Sequence, residues 1–115
     1  MSDCIFCKIA SGEIPAKLVF RDDAAGVIVI EDIDPKAPTH LLVLPASHYE
    51  TLSAAVAAQD GIAGRLFETA SRVGDERGGA GGYRIVVNTG PEGGQTVGHV
   101  HLHVLAGRRM TWPPG

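Results

Sequence analysis

The sequence predicts an α+β fold built on an antiparallel sheet. Short segments at 26–32, 40–45 and 83–88 are rich in β-branched and aliphatic residues, which is typical of strands. A longer segment, 62–73, instead repeats its apolar residues at three- and four-residue steps, as an amphipathic helix does. Because strands and helices do not alternate regularly along the chain, a parallel sheet is not expected. We therefore expect four to five antiparallel strands packed with helices.

Length and charge limit what the protein can be. The chain has 115 residues and a formal net charge of −3, and we expect one domain, 1–115, with a single core. It has no run of lysine or arginine, which argues against binding to nucleic-acid polymers. The N-terminus lacks the basic and apolar regions of a signal peptide, and no apolar run is long enough to cross a membrane. We therefore expect a cytoplasmic protein with no membrane partner, whose two cysteines stay reduced.

The first half of the chain predicts a short helix followed by three strands. The helix covers 4–11, with Asp3 as its N-cap and Ser11-Gly12 at its end. Strands are expected at 18–21, 26–32 and 40–45. Between the last two, Asp34-Pro35 and Ala37-Pro38 predict an extended loop, since a residue before proline is disfavoured in the α region.

The second half predicts one long helix and a terminal hairpin. We expect the helix to begin after Asp60 as its N-cap and to end at Gly78-Gly79. A strand at 83–88 follows, and a glycine-rich loop at 90–98 leads into the segment 98–107, GHVHLHVLAG. This last segment is predicted to be a strand paired with 83–88.

Three histidines in the segment 98–107 alternate with aliphatic residues. Side chains of a strand point to opposite faces in turn, so His99, His101 and His103 are expected on one face and the aliphatic residues on the other. A single histidine is more often a satisfied surface residue than a functional one. Three rings on one face are poor core material, since each has two nitrogens that need partners. The pattern therefore predicts a binding or reactive site.

The preceding loop, TGPEGGQTVG, has four glycines and leads directly onto the histidine face. Glycines let the backbone approach a ligand closely, and successive N–H groups can form an anion-binding nest. Glycines alone would indicate no more than a flexible hairpin loop. The position beside the three histidines favours a small phosphorylated ligand.

These residues together resemble the histidine-triad (HIT) family, and within it the Hint branch. The signature is HVHLHVL at 99–105, three histidines alternating with hydrophobic residues. The resemblance extends in order through CIFCKI, GEIPAKLVF, the EDI of 31–33, APTHLLVLP, RIVVN, GGQTVGHVHLHVLAGR and the terminal WPPG, which together span nearly the whole chain. It implies a HIT-like α+β fold, with a five-stranded antiparallel sheet, one long helix and one short helix.

The resemblance also implies an activity and its catalytic residues. Enzymes of the family attack the α-phosphorus of a nucleotide with the middle histidine, here His101, to form a covalent nucleotidyl-histidine that water then hydrolyses. A neutral imidazole is a competent nucleophile. His103 is implied beside it on the phosphate, and His40 as a buttress of the triad. His99 and Thr96 complete the implied catalytic set.

A nucleotide site and a dimer follow from the same resemblance. The ligand is expected to be a purine nucleotide of the AMP or GMP type. The implied binding residues are Ile5, Phe6, Ile9 and Ile14 at the base, Asp32 and Ile33 at the ribose, and Asn88, Gly94, Gln95, Thr96, His101 and His103 at the phosphates. Proteins of this branch form two-fold homodimers, and Trp112 in the tail is implied near the leaving-group side of the partner's site.

Cys4 and Cys7 allow two interpretations. Three residues apart on a helical turn, they lie on one face, and they could simply be two small residues of a reduced core. Bacterial HIT proteins with an N-terminal C-x-x-C resemble a different arrangement, in which His48 and His99 join the two thiolates around a structural zinc ion. We favour zinc, since it also gives His99 a role that the nucleophilic mechanism does not need.

Two residues depart from the Hint pattern, and two other functions stay open. Thr96 stands where serine is usual, and Gly98 where a larger residue is common, so substrate preference is affected more than activity. The chain is expected to hydrolyse nucleoside 5′-phosphoramidates or related nucleoside monophosphate conjugates. The alternatives are a diadenosine-polyphosphate hydrolase or nucleotidyl transferase of the same family, and a non-catalytic nucleotide-binding or zinc interaction module.

Overall fold

A computed structural model describes residues 4–115, and its centre is a sheet of five antiparallel strands. The strands are β1 (Leu18–Asp22), β2 (Val27–Glu31), β3 (Thr39–Pro45), β4 (Tyr83–Val87) and β5 (Leu102–Ala106), in the spatial order β1-β2-β3-β5-β4. The helices are α1 (Ile5–Ser11), α2 (Leu52–Ala57) and α3 (Ile62–Gly78), and a 3-10 turn covers Gly79–Gly81. The predicted α+β class and antiparallel sheet are confirmed. The N-cap of α1 is Cys4, whose sulfur accepts a hydrogen bond from the N–H of Cys7 at 3.4 Å, so the helix begins one residue later than predicted. Asp3, the expected N-cap, lies outside the described residues.

The sequence predicted two helices, one long and one short, and the structure has a third, α2. This six-residue helix begins after Thr51, whose side chain accepts a hydrogen bond from the backbone N–H of Ala54 at 3.1 Å. Six residues are too few to establish a helical repeat of apolar positions, so the sequence pattern did not separate α2 from the loop before α3. Across the described residues, none of the helices is both long enough and apolar enough to span a membrane.

The two faces of the sheet carry two separate hydrophobic clusters. One lies under α3 and includes Val27, Val29, Leu41, Val43, Leu66, Val73, Val100, Leu102 and Val104. The other lies under α1 and consists of Phe6, Ile28, Ile30, Leu42 and Leu44. Successive residues of β2 and β3 alternate between these clusters, as the two-residue period of a strand requires. Residues of β5 that alternate with Leu102 and Val104 therefore face α1.

The strand predicted over 98–107 is shorter than expected. Pairing of β5 with β3 begins only at Leu102, which lies opposite Val43. The segment 98–101 is not a strand because its backbone bonds elsewhere: the N–H of Val100 donates to the carbonyl of Tyr49 at 2.7 Å. Even so, Val100 is buried in the cluster under α3. The alternation of histidine and aliphatic residues therefore holds through the segment although its first half leaves the sheet.

The start of α3 corrects the prediction by one residue. Gly61, not Asp60, occupies the N-cap position, and its φ of 84° lies in the left-handed region that favours glycine. The carboxylate of Asp60 still accepts a hydrogen bond from the N–H of Ile62 at 3.0 Å, so it satisfies a donor of the first turn from one residue further out. The predicted end at Gly78-Gly79 is confirmed.

Two glycines of α3 differ in what surrounds them, and this gives a stability test. A Cβ at Gly74 would lie 2.7 Å from ring carbons of Tyr83 on β4, whereas a Cβ at Gly64 would meet nothing within 4 Å. We expect Gly74→Ala to destabilise the protein by about 1–3 kcal/mol through overpacking. The matched change Gly64→Ala should stabilise it by up to about 1 kcal/mol, since alanine favours the helix. Urea unfolding of both variants measures this, and a Gly74→Ala protein as stable as wild type would contradict the packing of α3 on β4.

Candidate functional site

His101 is held by a backbone carbonyl that determines where its proton lies. The Nδ1 atom of its buried ring is 2.9 Å from the carbonyl oxygen of His99. A carbonyl can only accept a hydrogen bond, so Nδ1 carries the hydrogen and donates it. In the neutral ring, the lone pair is therefore on Nε2. The protein presents this atom in the form that can attack an electrophile.

A second hydrogen-bonded chain orients His103 from the loop before β3. The backbone N–H of Lys36 donates to Nδ1 of His40 at 3.0 Å, so the hydrogen of the neutral His40 ring lies on Nε2. That Nε2 is 2.9 Å from Nδ1 of His103 and donates to it. The hydrogen of the neutral His103 ring consequently lies on its own Nε2. His103 is thus oriented as a hydrogen-bond donor beside His101, with the two ring centroids 5.0 Å apart.

Burial keeps these two supporting rings neutral. Desolvation, reinforced by the neighbouring rings of His101 and His40, lowers the pKa of His103 to about 4. Desolvation also lowers the pKa of His40, against the opposing effect of the Asp32 carboxylate, whose Oδ2 lies 3.4 Å from His40 Nε2. At neutral pH both rings are therefore neutral and carry one hydrogen each. Because Lys36 donates to Nδ1 of His40, His40 must in turn donate from Nε2 to His103.

The apolar residues expected at the base and the ribose differ in how deeply they are buried. Phe6 is buried and packs its ring edge-on against His99 and His101, with centroids 5.7 Å and 5.0 Å away. Ile9 packs against the cluster under α1, and Ile14 is half-buried. Ile5 is 46% exposed, and Ile33, which was expected at the ribose, is 95% exposed. The structure thus brings Phe6 directly to the histidines and leaves Ile5 and Ile33 accessible to a ligand.

The polar residues expected at the phosphates belong to a loop with its own internal bonds. The side-chain Nε2 of Gln95 donates to the carbonyls of Glu50 at 2.7 Å and Val97 at 2.9 Å, and its Oε1 accepts from the N–H of Gly90 at 3.1 Å. The Gln95 amide is therefore fully used in shaping the loop. The backbone N–H of Gln95 is also engaged, since it donates to the carbonyl of Gly90 at 3.0 Å. Any phosphate contact made by Gln95 therefore requires a rearrangement of the loop.

The other predicted loop and tail residues fall into two groups. Asn88 donates from its side-chain Nδ2 to the carbonyl of Gly93, and Gly94 adjoins that amide with a φ of 83°. Thr96 is exposed at the loop surface, and Trp112 is 84% exposed in the single chain. Asp32 accepts the N–H of Asp34 on Oδ1 at 2.8 Å, and its other oxygen adjoins His40.

Cys4, Cys7, His48 and His99 form a group that fits a tetrahedral metal ion. Their ligand atoms all lie within 4.8 Å of one another. Nδ1 of His99 is 3.3 Å from the sulfur of Cys4 and 3.6 Å from that of Cys7, while Nδ1 of His48 is 3.3 Å from Cys7. Zinc bonds of about 2.3 Å to sulfur and about 2.0 Å to nitrogen separate tetrahedral S and N ligands by about 3.5 Å.

The surroundings of His99 strengthen this assignment. Its Nε2 lies 2.8 Å from the carbonyl oxygen of Pro45, which can only accept, so Nε2 carries the hydrogen and Nδ1 offers its lone pair to the cysteines. Metal-binding histidines commonly donate their other N–H to such a carbonyl. Desolvation lowers the pKa of this completely buried ring, which keeps it in the neutral form that binds metal. A bound zinc would clamp α1 to the segment before β5.

A second group of metal-type residues, Asp32, His40 and His103, also has ligand atoms within 4.8 Å of one another. Its hydrogen bonding does not fit a metal. The N–H of Lys36 already uses the lone pair of His40 Nδ1, so a metal on Nε2 would require that ring to lose both hydrogens. This group is therefore a hydrogen-bonded relay, and the cysteine group is the candidate metal site.

The sequence is similar to that of known proteins over nearly its whole length. A sequence model of the HIT domain matches residues 11–110. The chain belongs to the HIT family. The adenylylsulfatase HINT1 of Arabidopsis thaliana is 46% identical over 116 aligned residues, which cover 99% of this chain and 78% of that protein. A 14 kDa zinc-binding protein of Brassica juncea is 43% identical, with 98% of this chain and all of that protein covered.

Solved structures agree with the fold of this HIT domain. The crystal structure of a HIT family hydrolase from Legionella pneumophila superposes with a TM-score of 0.90 at 44% identity, covering 97% of this chain and 99% of that one. The chain is therefore similar to a HIT family hydrolase over almost its whole length. The α+β HIT fold expected from the sequence is confirmed.

Sequence reasoning missed two backbone groups that bond to the histidines and one residue beside the glycine-rich loop. The amide of Lys36 and the carbonyl of Pro45 fix the hydrogens of His40 and His99, but every residue has such backbone groups, so no sequence signal could have identified them. Glu50 is held against the glycine-rich loop by Gln95. The sequence signal that could have indicated Glu50 is its position two residues after His48.

We expect the protein to bind one zinc ion per chain when it is purified without chelator or a metal column. Cys7→Ser should reduce the zinc content and lower the melting temperature, because the free energy of metal binding contributes to folding. The matched variant His103→Asn removes a histidine from the relay and should retain the metal. Elemental analysis checks all three proteins. A zinc content near zero in wild type, or equal loss in both variants, would contradict the assignment.

Proposed function

We propose that this HIT protein is a nucleotide hydrolase of the Hint type, which cleaves nucleoside 5′-phosphoramidates through a nucleotidyl-histidine intermediate. The observation that carries the proposal is the 2.9 Å contact between Nδ1 of His101 and the carbonyl of His99, which leaves Nε2 free to attack. The branch with an N-terminal C-x-x-C is supported by the grouping of Cys4 and Cys7 with His48 and His99.

In the first step, Nε2 of His101 attacks the α-phosphorus, and the bond from phosphorus to the amine nitrogen breaks. The nitrogen takes up a proton from solvent water and leaves as the free amine. The His101 ring, bonded to phosphorus at Nε2 and to hydrogen at Nδ1, then carries a positive charge. The carbonyl of His99 accepts from Nδ1 and stabilises that charge, since hydrogen bonds to charged groups are stronger than neutral ones.

In the second step, water attacks the same phosphorus and gives up a proton to solvent as the bond from phosphorus to Nε2 breaks, which releases the nucleoside monophosphate and restores neutral His101. Dividing the hydrolysis in this way replaces one difficult displacement by two easier ones. His103 contributes in both steps by donating from Nε2 to a phosphoryl oxygen, and its pKa of about 4 keeps it a neutral donor at physiological pH. Thr96, on the exposed loop, offers a hydroxyl to the leaving group.

A second candidate reaction is the hydrolysis of an adenylyl sulfate. It is favoured by the similarity to the Arabidopsis adenylylsulfatase. The same attack by His101 would expel sulfate in place of an amine, so the two reactions differ only in the leaving group. Parallel assays with adenosine 5′-phosphoramidate and adenosine 5′-phosphosulfate distinguish them by their values of kcat/KM.

We also propose that two copies of the chain pair through their tails. Trp112 is 84% exposed in the single chain, although a large aromatic ring is usually buried or in contact with a partner. The tail is nevertheless anchored at its start, where the guanidinium of Arg84 donates to the carbonyl of Thr111 at 3.0 Å. A fixed start and an exposed aromatic ring suit contact with a second copy near its leaving-group side.

We expect His101→Ala to abolish turnover of adenosine 5′-phosphoramidate while AMP still binds, because the ribose and base contacts lie elsewhere. His103→Ala should slow turnover by about a hundredfold, the usual effect of losing one positioned proton donor or acceptor. Mass spectrometry of a rapidly quenched reaction should find a nucleotidyl adduct on His101 in wild type and in His103→Ala, and none in His101→Ala. An adduct on any other residue would refute the mechanism.

We expect removal of residues 111–115 to change the preference among amine leaving groups more than it weakens AMP binding. Sedimentation of the intact protein should give a dimer at micromolar concentration. Values of kcat/KM for several amines, measured for the intact and truncated proteins, test the leaving-group role, and full-length Trp112→Ala separates the ring from the rest of the tail. A monomeric protein, or ratios unchanged by truncation, would contradict the proposal.

A further inference from the structure

A cavity of about 680 Å³ lies between the candidate metal site and the glycine-rich loop. Two of its lining residues bear on the proposed reaction: Thr96, proposed at the leaving group, and Glu50, which has no assigned role. The lining consists of Cys4, Ile5, Cys7, His48, Glu50, Thr96, Val97 and Gly98. The cavity is open to solvent and has one carboxylate in its wall.

Gly98 keeps this cavity open. A Cβ at this position would have only Glu50 as a neighbour within 4 Å, with both Cγ and Oε2 at 3.9 Å. The φ angle of Gly98 is not positive, so its backbone conformation does not require glycine. A side chain could occupy this position without strain, and it would fill the space in front of the Glu50 carboxylate.

The backbone at Glu50 is held relative to the reacting histidine at two points. Its carbonyl accepts from the side chain of Gln95 at 2.7 Å, and the carbonyl of its neighbour Tyr49 accepts from the N–H of Val100 at 2.7 Å. Val100 immediately precedes His101. The carboxylate of Glu50 forms no ion pair with any lysine, arginine or histidine of residues 4–115. The chain thus holds an uncompensated negative charge beside the catalytic segment.

We propose that this cavity receives the leaving group and that Glu50 selects amines bearing a second, positively charged group. The inference rests on the proposed phosphoramidate hydrolysis and specifies its substrate class. The amine nitrogen bonded to phosphorus lies by Thr96, and an ammonium group a few atoms further along meets Glu50 across the space left by Gly98. The same carboxylate repels an anionic leaving group such as sulfate.

The expected size of the effect follows from the exposure of Glu50. Ion pairs at a solvent-exposed site contribute little, so we expect a preference of about fivefold for the cationic amine. Salt screens exposed charges, so the ratio of kcat/KM for the cationic amine to that for the neutral amine should fall towards one as the ionic strength rises from about 0.02 M to 0.5 M. A buried or purely steric selection would not show this dependence on salt.

The test compares two adenosine 5′-phosphoramidates, one made with propylamine and one with 1,3-diaminopropane, which differ in a terminal ammonium group. The measured quantity is the ratio of kcat/KM for the charged amine to that for the neutral amine. Wild type should give a ratio of about five, and Glu50→Gln a ratio near one. The control Glu76→Gln removes an equal charge from the exposed surface of α3, on the other side of the sheet, and should keep the wild-type ratio.

The outcomes separate this inference from the function on which it rests. Hydrolysis of both compounds with the same ratio in wild type and Glu50→Gln would overturn the role of Glu50 and leave the proposed hydrolase intact. Hydrolysis of neither compound would overturn the proposed function and the inference with it. If Glu50→Gln does not fold, the wild-type ratio is measured at low and high ionic strength instead. A ratio that falls with salt supports selection by the Glu50 charge, and a ratio unaffected by salt overturns it.

Discussion

Hydrogen bonds from the backbone to imidazole nitrogens determine the site of this protein. The carbonyl of Pro45 places the hydrogen of His99 on Nε2, the carbonyl of His99 places that of His101 on Nδ1, and the amide of Lys36 places that of His40 on Nε2. An imidazole has two chemically similar nitrogens, so its sequence position does not say which one is reactive. Three backbone groups make that choice, and the distinct roles of the rings follow from it.

These bonds also explain how so many imidazoles are tolerated beside an apolar cluster. His40, His99 and His101 are buried, and within residues 4–115 no buried side-chain nitrogen or oxygen lacks a hydrogen-bond partner. A satisfied polar group costs little to bury, whereas an unsatisfied one costs about 1–3 kcal/mol. The histidine side of the sheet is therefore stable because its buried polar atoms all have hydrogen-bond partners. Phe6 of α1 packs edge-on against the rings of His99 and His101, so the position of α1 is coupled to that of the histidine rings.

The histidines of the segment 98–107 face two different groups of residues. His99 faces the cysteines, where a zinc ion would link α1 to the chain before β5, whereas His101 lies beside His103, which bonds to His40. The absence of strand pairing before Leu102 makes this possible, because the segment 98–101 bonds to the segment at Tyr49 and not to a strand. The rings of one sequence motif thereby reach two different sites. Glu50 is brought to the same region by that departure from the sheet.

The sequence alone predicted the five strands, the helices α1 and α3, and the histidines as candidate site residues. Two-residue alternation placed Val100, Leu102 and Val104 opposite the histidines, and apolar spacing identified α3, because both depend on local geometry of the chain. Only the tertiary structure decided that the strand begins at Leu102, that the amide of Gln95 braces its loop and that Glu50 faces Gly98. Those facts depend on contacts between distant segments. Backbone groups of Lys36 and Pro45 carry no side-chain signal, so their control of the histidines became visible only when folding brought them within hydrogen-bonding distance.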